Sequence, residues 1–227
     1  MNFTDEKTKL DIWGEVKEDL VIFIHGGYWQ GDRKSCVAPA ISLVENGIAF
    51  ASIGYNMGSE KFPLSELIRE VIAAIQYLLD RYPHIKNITL GGHSAGAQLA
   101  YKSASIMRCP RIKRLALLAG VYQLEELVTC EIGKVIGLTF EEAKKNSCQA
   151  CELRGLELSV QLLIGKKESP RLLEQNRQLI SRLENEDGIT TYYEEFPDLN
   201  HYSLINGLRY PSSPQTQRLL SFLGKLP

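Results

Sequence analysis

Two spacings of apolar residues alternate along this chain. Short, mostly apolar runs such as Val21-Ile22-Phe23-Ile24, Ile48-Ala49-Phe50-Ala51-Ser52-Ile53, Lys113 to Ala119 and Leu158 to Ile164 are too short for helices. Val21 to Ile24 has the continuous β-branched and aromatic content of a strand buried on both faces, Lys113 to Ala119 is predicted to be another buried strand, and the other two are predicted strands. Residues 8–13 alternate up to Gly14, Asn87 to Gly91 is a further β-prone run, and Thr190 to Phe196 is the last. Between them the period changes. Leu64, Leu67, Ile68, Val71, Ile72, Ile75, Leu78 and Leu79 form one apolar stripe at helical spacing, which Pro83 stops. Further helices are predicted over 34–46, from Ala97 through Met107, from Pro170 to about Leu183 and near Pro214 to Leu223. Strands alternating with helices predict a mostly parallel sheet with helices on both faces. Residues 121–157 break the rhythm: Leu124 to Val128 and Phe140 to Asn146 are helix-like, so a small helical excursion over the sheet is expected there. No repeat, linker or low-complexity stretch divides the chain, and residues 1–227 are expected to form one domain.

Composition narrows the picture by exclusion. With 44% hydrophobic and 23% charged residues there is material for a core. A net charge of −1 and the lack of a basic run speak against nucleic acid as a partner. No apolar run has the length to span a bilayer, and the polar start, Met1 to Lys7, has no signal-peptide character, so a cytoplasmic location is expected. Five cysteines at irregular spacing do not suggest a disulfide framework, and Cys148-Gln149-Ala150-Cys151 lacks the second pair of a zinc site. No metal or cofactor is expected. A homodimer is compatible with the sequence but not legible in it.

The chemistry centres on Gly92-His93-Ser94-Ala95-Gly96, set between a β-prone run and a helix. This is the G-x-S-x-G elbow in its strand–turn–helix setting. A serine there exposes its hydroxyl only on a strained turn, and the flanking glycines leave room for the close approach of strand and helix. The elbow's second position, His93, admits many residue types. A nucleophilic serine needs a base, and the chain offers His25, His84, His93 and His201. His84 lies in a Pro-containing turn, and His25 ends a strand before two glycines, where it would brace the loop. His201, in Asp198-Leu199-Asn200-His201-Tyr202 after the last strand, remains as the base, presented by a loop.

The imidazole in turn needs a carboxylate, which in the chain order Ser–acid–His must fall between Ser94 and His201. Glu168 and Asp198 are the candidates. Glu168, in Gly165-Lys166-Lys167-Glu168-Ser169-Pro170, is favoured because a separate loop can reach the far ring nitrogen without folding back on itself. His25-Gly26-Gly27-Tyr28-Trp29 has the form of an HGGG-type oxyanion loop, with the N–H groups of Gly27 and Tyr28 as donors beside that of Ala95. Tyr28 and Trp29 are candidates to stack on an aromatic substrate, with core burial the alternative for Trp29.

His25-Gly26-Gly27-Tyr28-Trp29-Gln30 together with Gly92-His93-Ser94-Ala95-Gly96-Ala97 resembles the kynurenine formamidase (arylformamidase) family of α/β-hydrolases, whose signature is HGGxW. Gly120 to Glu125, Asn146-Ser147 and Gly165 to Pro170 are similar to family segments in the same order, so the resemblance runs from about residue 8 through most of the chain. It implies an α/β-hydrolase that cleaves N-formyl-L-kynurenine to kynurenine and formate in tryptophan catabolism, without a cofactor. Ser94 would be the nucleophile, Glu168 the acid and His201 the base. The acid is usually aspartate in the family, and the HGG strand lies nearer the start of this chain than in the animal enzymes. A short-chain carboxylesterase using the same triad and a non-catalytic binding protein of the same fold are the alternatives.

Overall fold

The computed structural model describes residues 8–225; the polar start read above lies outside these residues. Within these residues seven strands, β1 (Leu10–Trp13), β2 (Asp19–Ile24), β3 (Ala49–Ile53), β4 (Asn87–His93), β5 (Ile112–Leu118), β6 (Leu158–Gly165) and β7 (Ile189–Phe196), form one sheet in the order β1-β3-β2-β4-β5-β6-β7. Only β1 runs antiparallel to its neighbour; every other pairing is parallel. Among the described residues eight helices connect and cover the sheet: α1 (Ala38–Glu45), α2 (Leu64–Arg81), α3 (Ala95–Met107), α4 (Glu131–Val135), α5 (Phe140–Asn146), α6 (Pro170–Leu183), α7 (His201–Gly207) and α8 (Pro214–Phe222).

The two-fold period of a strand sends alternate residues to opposite faces. Leu20, Ile22 and Ile24 of β2 join the core under α2, α3 and α6, whereas Val21 and Phe23 join the one under α1, α7 and α8. This double burial explains the continuous apolar runs. The α2 stripe behaves as its period predicts, with Leu64, Leu67, Ile68, Val71, Ile75, Leu78 and Leu79 buried against the sheet. The arrangement is the α/β-hydrolase fold.

Three local differences from the sequence reading have simple causes. The helix predicted over 34–46 is split: a 3-10 turn, Arg33–Cys36, is capped by the Asp32 carboxylate, and α1 starts afresh with Pro39 in its first turn. The excursion after β5 is helical as expected, built from α4, α5 and two further 3-10 turns. His201 is not in a loop. It opens α7, because Asn200 caps that helix, accepting from the N–H groups of Tyr202 and Ser203 while the Ser203 hydroxyl accepts from the Asn200 N–H. All five cysteines carry free thiols. Among the described residues no helix is long and apolar enough to cross a membrane.

Candidate active site

β4 ends in a turn of a single residue. Ser94 stands between strand and helix at φ 57°, ψ −121°, a conformation that a side-chain-bearing residue adopts only under constraint. The constraint comes from close backbone contacts at three glycines. A Cβ on Gly92 would lie 2.3 Å from the Gly96 carbonyl carbon, and one on Gly96 would lie 2.0 Å from the Ile24 carbonyl oxygen. On Gly26 it would meet the His93 carbonyl oxygen at 2.5 Å and the Ser94 Cβ at 3.0 Å. The loop after β2 is thus pressed directly onto the elbow. The Ser94 N–H is spent on the Leu118 carbonyl at 2.9 Å. Ala95 begins α3, where helix geometry leaves the N–H without an intrahelical partner and the helix dipole favours negative charge.

The loop itself is strained in a useful sense. Gly27, Tyr28 and Trp29 all have left-handed φ (84°, 51° and 60°), in a turn closed by the Gln30 N–H on the Gly27 carbonyl at 2.8 Å. Two of these residues carry side chains, so the turn needs anchors. Trp29 supplies them: its indole N–H donates to Gln98 Oε1 on α3 at 3.1 Å, and its carbonyl accepts from the Gly58 N–H at 2.9 Å. Gln98 continues the chain of bonds, donating to the Asn146 carbonyl at 2.9 Å. Trp29 is completely buried. It therefore packs the core and offers no face to a ligand, which corrects its candidacy as a substrate contact. Tyr28, 51% exposed, remains at the surface beside the elbow. His25 braces the loop from behind, stacked on Tyr55 at 4.0 Å with its Nδ1–H on the Gly26 carbonyl at 3.1 Å. Burial lowers its pKa to about 4, so the ring is neutral at ordinary pH.

The acid lies in the loop after β6, and the base follows the loop after β7, as the first residue of α7. The two loops are laced by the Lys166 N–H on the Phe196 carbonyl and the Lys167 N–H on the Leu199 carbonyl, at 2.8 and 3.0 Å. A Cβ on Gly165 would come within 2.2 Å of the Leu199 carbonyl oxygen, so only glycine lets the loops cross so closely. The result is a contact of 2.6 Å between Glu168 Oε2 and His201 Nδ1. Burial works to raise the Glu168 pKa, but the His201 hydrogen bond and charge outweigh it, with help from the Ser169 N–H, and the net shift is downward. Asp198 is 93% exposed and lies 3.7 Å from Lys167 Nζ. Of the two carboxylates weighed from the sequence, Glu168 is the one in contact with the histidine.

His93 fills the elbow's second position, which many residue types could occupy. In the structure it is buried and its ring lies 4.4 Å from that of His201. No signal in the sequence marks this contact. His84 is exposed, with its Nε2 on the Val16 carbonyl at 3.0 Å, and it precedes β4, at the opposite end of that strand from Ser94. Among the described residues no group of three or more His, Cys, Asp or Glu side chains is arranged to hold a metal ion. A serine on a strained elbow at a helix N-terminus, a glycine loop pressed against it, and a carboxylate–imidazole pair together have the makings of acyl transfer.

Comparison with known proteins agrees. Residues 10–124 match the BD-FAE family. The kynurenine formamidase of Salmo salar is 29% identical over 97% of this chain and 79% of its own length. That of Danio rerio is 28% identical over the same shares. Among solved structures, an esterase B from Lactobacillus rhamnosis superposes with a TM-score of 0.81 at 20% identity, covering 99% of this chain and 83% of that one. An esterase from Pyrobaculum calidifontis gives 0.74 at 15%, covering 94% and 78%. At such identities these two speak for the fold.

Proposed function

The chain belongs to the BD-FAE family of α/β-hydrolases, and from that premise we propose that it is a serine hydrolase cleaving the formamide of N-formyl-L-kynurenine, as an arylformamidase of tryptophan catabolism. The substrate is taken from the fish relatives, named kynurenine formamidase, whose likeness runs through 97% of this chain. The observation that carries the chemistry is the Glu168–His201 contact of 2.6 Å with His93, the residue before Ser94, lying against the same imidazole.

In this reading His201 Nε2 takes the Ser94 hydroxyl proton as Oγ attacks the formyl carbon. Glu168 holds the proton on Nδ1 and stabilises the imidazolium. The tetrahedral oxyanion is met by the N–H groups of Ala95, Gly27 and Tyr28; one such donor is worth on the order of 10²–10³ in rate. As the carbon–nitrogen bond breaks, His201 returns its proton to the arylamine nitrogen, and kynurenine leaves a formyl ester on Ser94. His201 then deprotonates a water that attacks this ester, and formate departs with Ser94 restored. Tyr28, exposed beside the elbow, is an aromatic surface available to the aryl ring.

The test is steady-state hydrolysis of N-formyl-L-kynurenine beside a p-nitrophenyl acyl series, with Ser94→Ala as control. The reading expects formylkynurenine to dominate in kcat/KM, esters to slow as the acyl chain lengthens, and Ser94→Ala to abolish both. Turnover of esters alone would favour a short-chain carboxylesterase on the same triad, a reading to which the esterase neighbours lend only their fold. No turnover and no Ser94-dependent labelling by a fluorophosphonate would point to a binding protein.

A further inference from the structure

We propose that His93 is a positioning residue for His201: by hydrogen-bonding the first turn of α7 to the end of β4, it holds the base in register with the nucleophile. The inference rests on the assignment of Ser94 and His201 above and gives a role to His93, which takes no step in that chemistry.

Three observations carry it. The His93 Nε2–H donates to the backbone carbonyl of His201 at 2.9 Å, a contact between residues 108 apart in the chain. The His93 ring also lies against the His201 ring, centroids 4.4 Å apart at 46°. His93 is itself 4% exposed, at the end of a central strand between β2 and β5, so it is a fixed post. Glu168 restrains the His201 ring only at Nδ1, and Asn200 caps α7 only against itself. The His93 hydrogen bond ties the base's backbone to the residue that precedes the nucleophile, so Ser94 and His201 share one rigid support.

The charge state suits the task. Burial and the neighbouring His201 hold the His93 pKa down to about 3, so throughout the neutral range the ring is uncharged. A neutral ring with its proton on Nε2 can donate to the His201 carbonyl without placing a second cation beside the imidazolium that forms during catalysis. A displacement of the base by about 1 Å costs on the order of 10²-fold in rate.

Three replacements separate positioning from packing. His93→Phe keeps the ring and loses the donor. His93→Gln loses the ring but carries an amide N–H at about the reach of imidazole Nε2. His93→Leu loses both and replaces the Phe variant should that one not fold. The readouts are kcat and KM on N-formyl-L-kynurenine, or on p-nitrophenyl acetate if only esters turn over, the rate of Ser94 labelling by a fluorophosphonate, and Tm. Positioning predicts that His93→Phe lowers kcat and the labelling rate together by roughly 10- to 100-fold. KM should stay within about threefold, and His93→Gln should recover most of the loss. Wild-type kcat in His93→Phe overturns the proposal. So do equal losses in the Phe and Gln variants that follow Tm, and so does failure of both apolar variants to fold, which would make the bond a folding requirement. Activity retained by Ser94→Ala or His201→Ala would instead strike the underlying assignment, and this proposal with it.

Discussion

Replacing Glu168 by glutamine keeps the length of the side chain and removes the charge that faces His201. In the wild type, Oε2 lies 2.6 Å from Nδ1 and the Glu168 side chain is only 11% exposed, so solvent does little to screen the pair. For charge centres about 4 Å apart at an effective dielectric of about 20, the attraction between carboxylate and imidazolium is about 4 kcal/mol. The imidazolium forms as His201 takes the Ser94 proton, so this attraction enters the barrier, at about 10³ in rate. Glutamine also presents an N–H toward Nδ1. That favours the tautomer with the proton on Nε2, where His201 cannot accept from Ser94, and the expected loss in kcat rises to about 10⁴. Asp198→Asn is the companion: a carboxylate 93% exposed and paired with a surface lysine should change kcat by no more than about twofold. Both are measured by following kynurenine formation at saturating substrate, with urea unfolding to show that each variant is folded. A loss below about tenfold in Glu168→Gln, or an Asp198→Asn variant impaired as badly, would refute the reasoning.

Stability should fall on mild acidification. The folded pKa values of His25 and His93, about 4 and about 3, lie below the ordinary 6.5, so between these values the unfolded chain binds protons that the folded one refuses. The contribution is complete above about pH 6.5 and is lost as pH falls, at about 1.4 kcal/mol per pH unit for each ring. Urea unfolding at pH 7, 6 and 5 measures the slope; His93→Gln should remove one ring's share, and a flat profile would contradict the burial argument. Gln98→Leu strips the Trp29 indole N–H and the Asn146 carbonyl of their partner. The cost is expected at about 1–3 kcal/mol per orphaned group, with a fall in kcat of roughly tenfold as the left-handed 27–29 turn loosens; unchanged stability and rate would show that the turn needs no such anchor. Gly96→Ala drives a methyl to 2.0 Å from the Ile24 carbonyl oxygen and should cost about 3 kcal/mol or more, read as a lowered urea midpoint or loss of soluble protein; wild-type stability would mean that the elbow can open.

The elbow, the alternation of strands and helices, and the α2 stripe were legible because each depends on neighbours in sequence. A turn that must carry strain declares itself by its glycines, and a buried face declares itself by its period. His201 could be singled out because histidines are few and only one follows the last strand. What the sequence left open or misplaced depends instead on contacts across the sheet. The choice of Glu168 over Asp198 rests on two crossing loops that bring residues 33 apart into contact. The burial of Trp29 rests on a bond to a residue 69 positions away, and the place of His93 on one 108 away. Local pattern fixes which face of a strand or helix is apolar. It says nothing of which two strand ends the order β1-β3-β2-β4-β5-β6-β7 will set side by side, and that order, decided by how the whole chain buries both faces of one sheet, is what assembled this site.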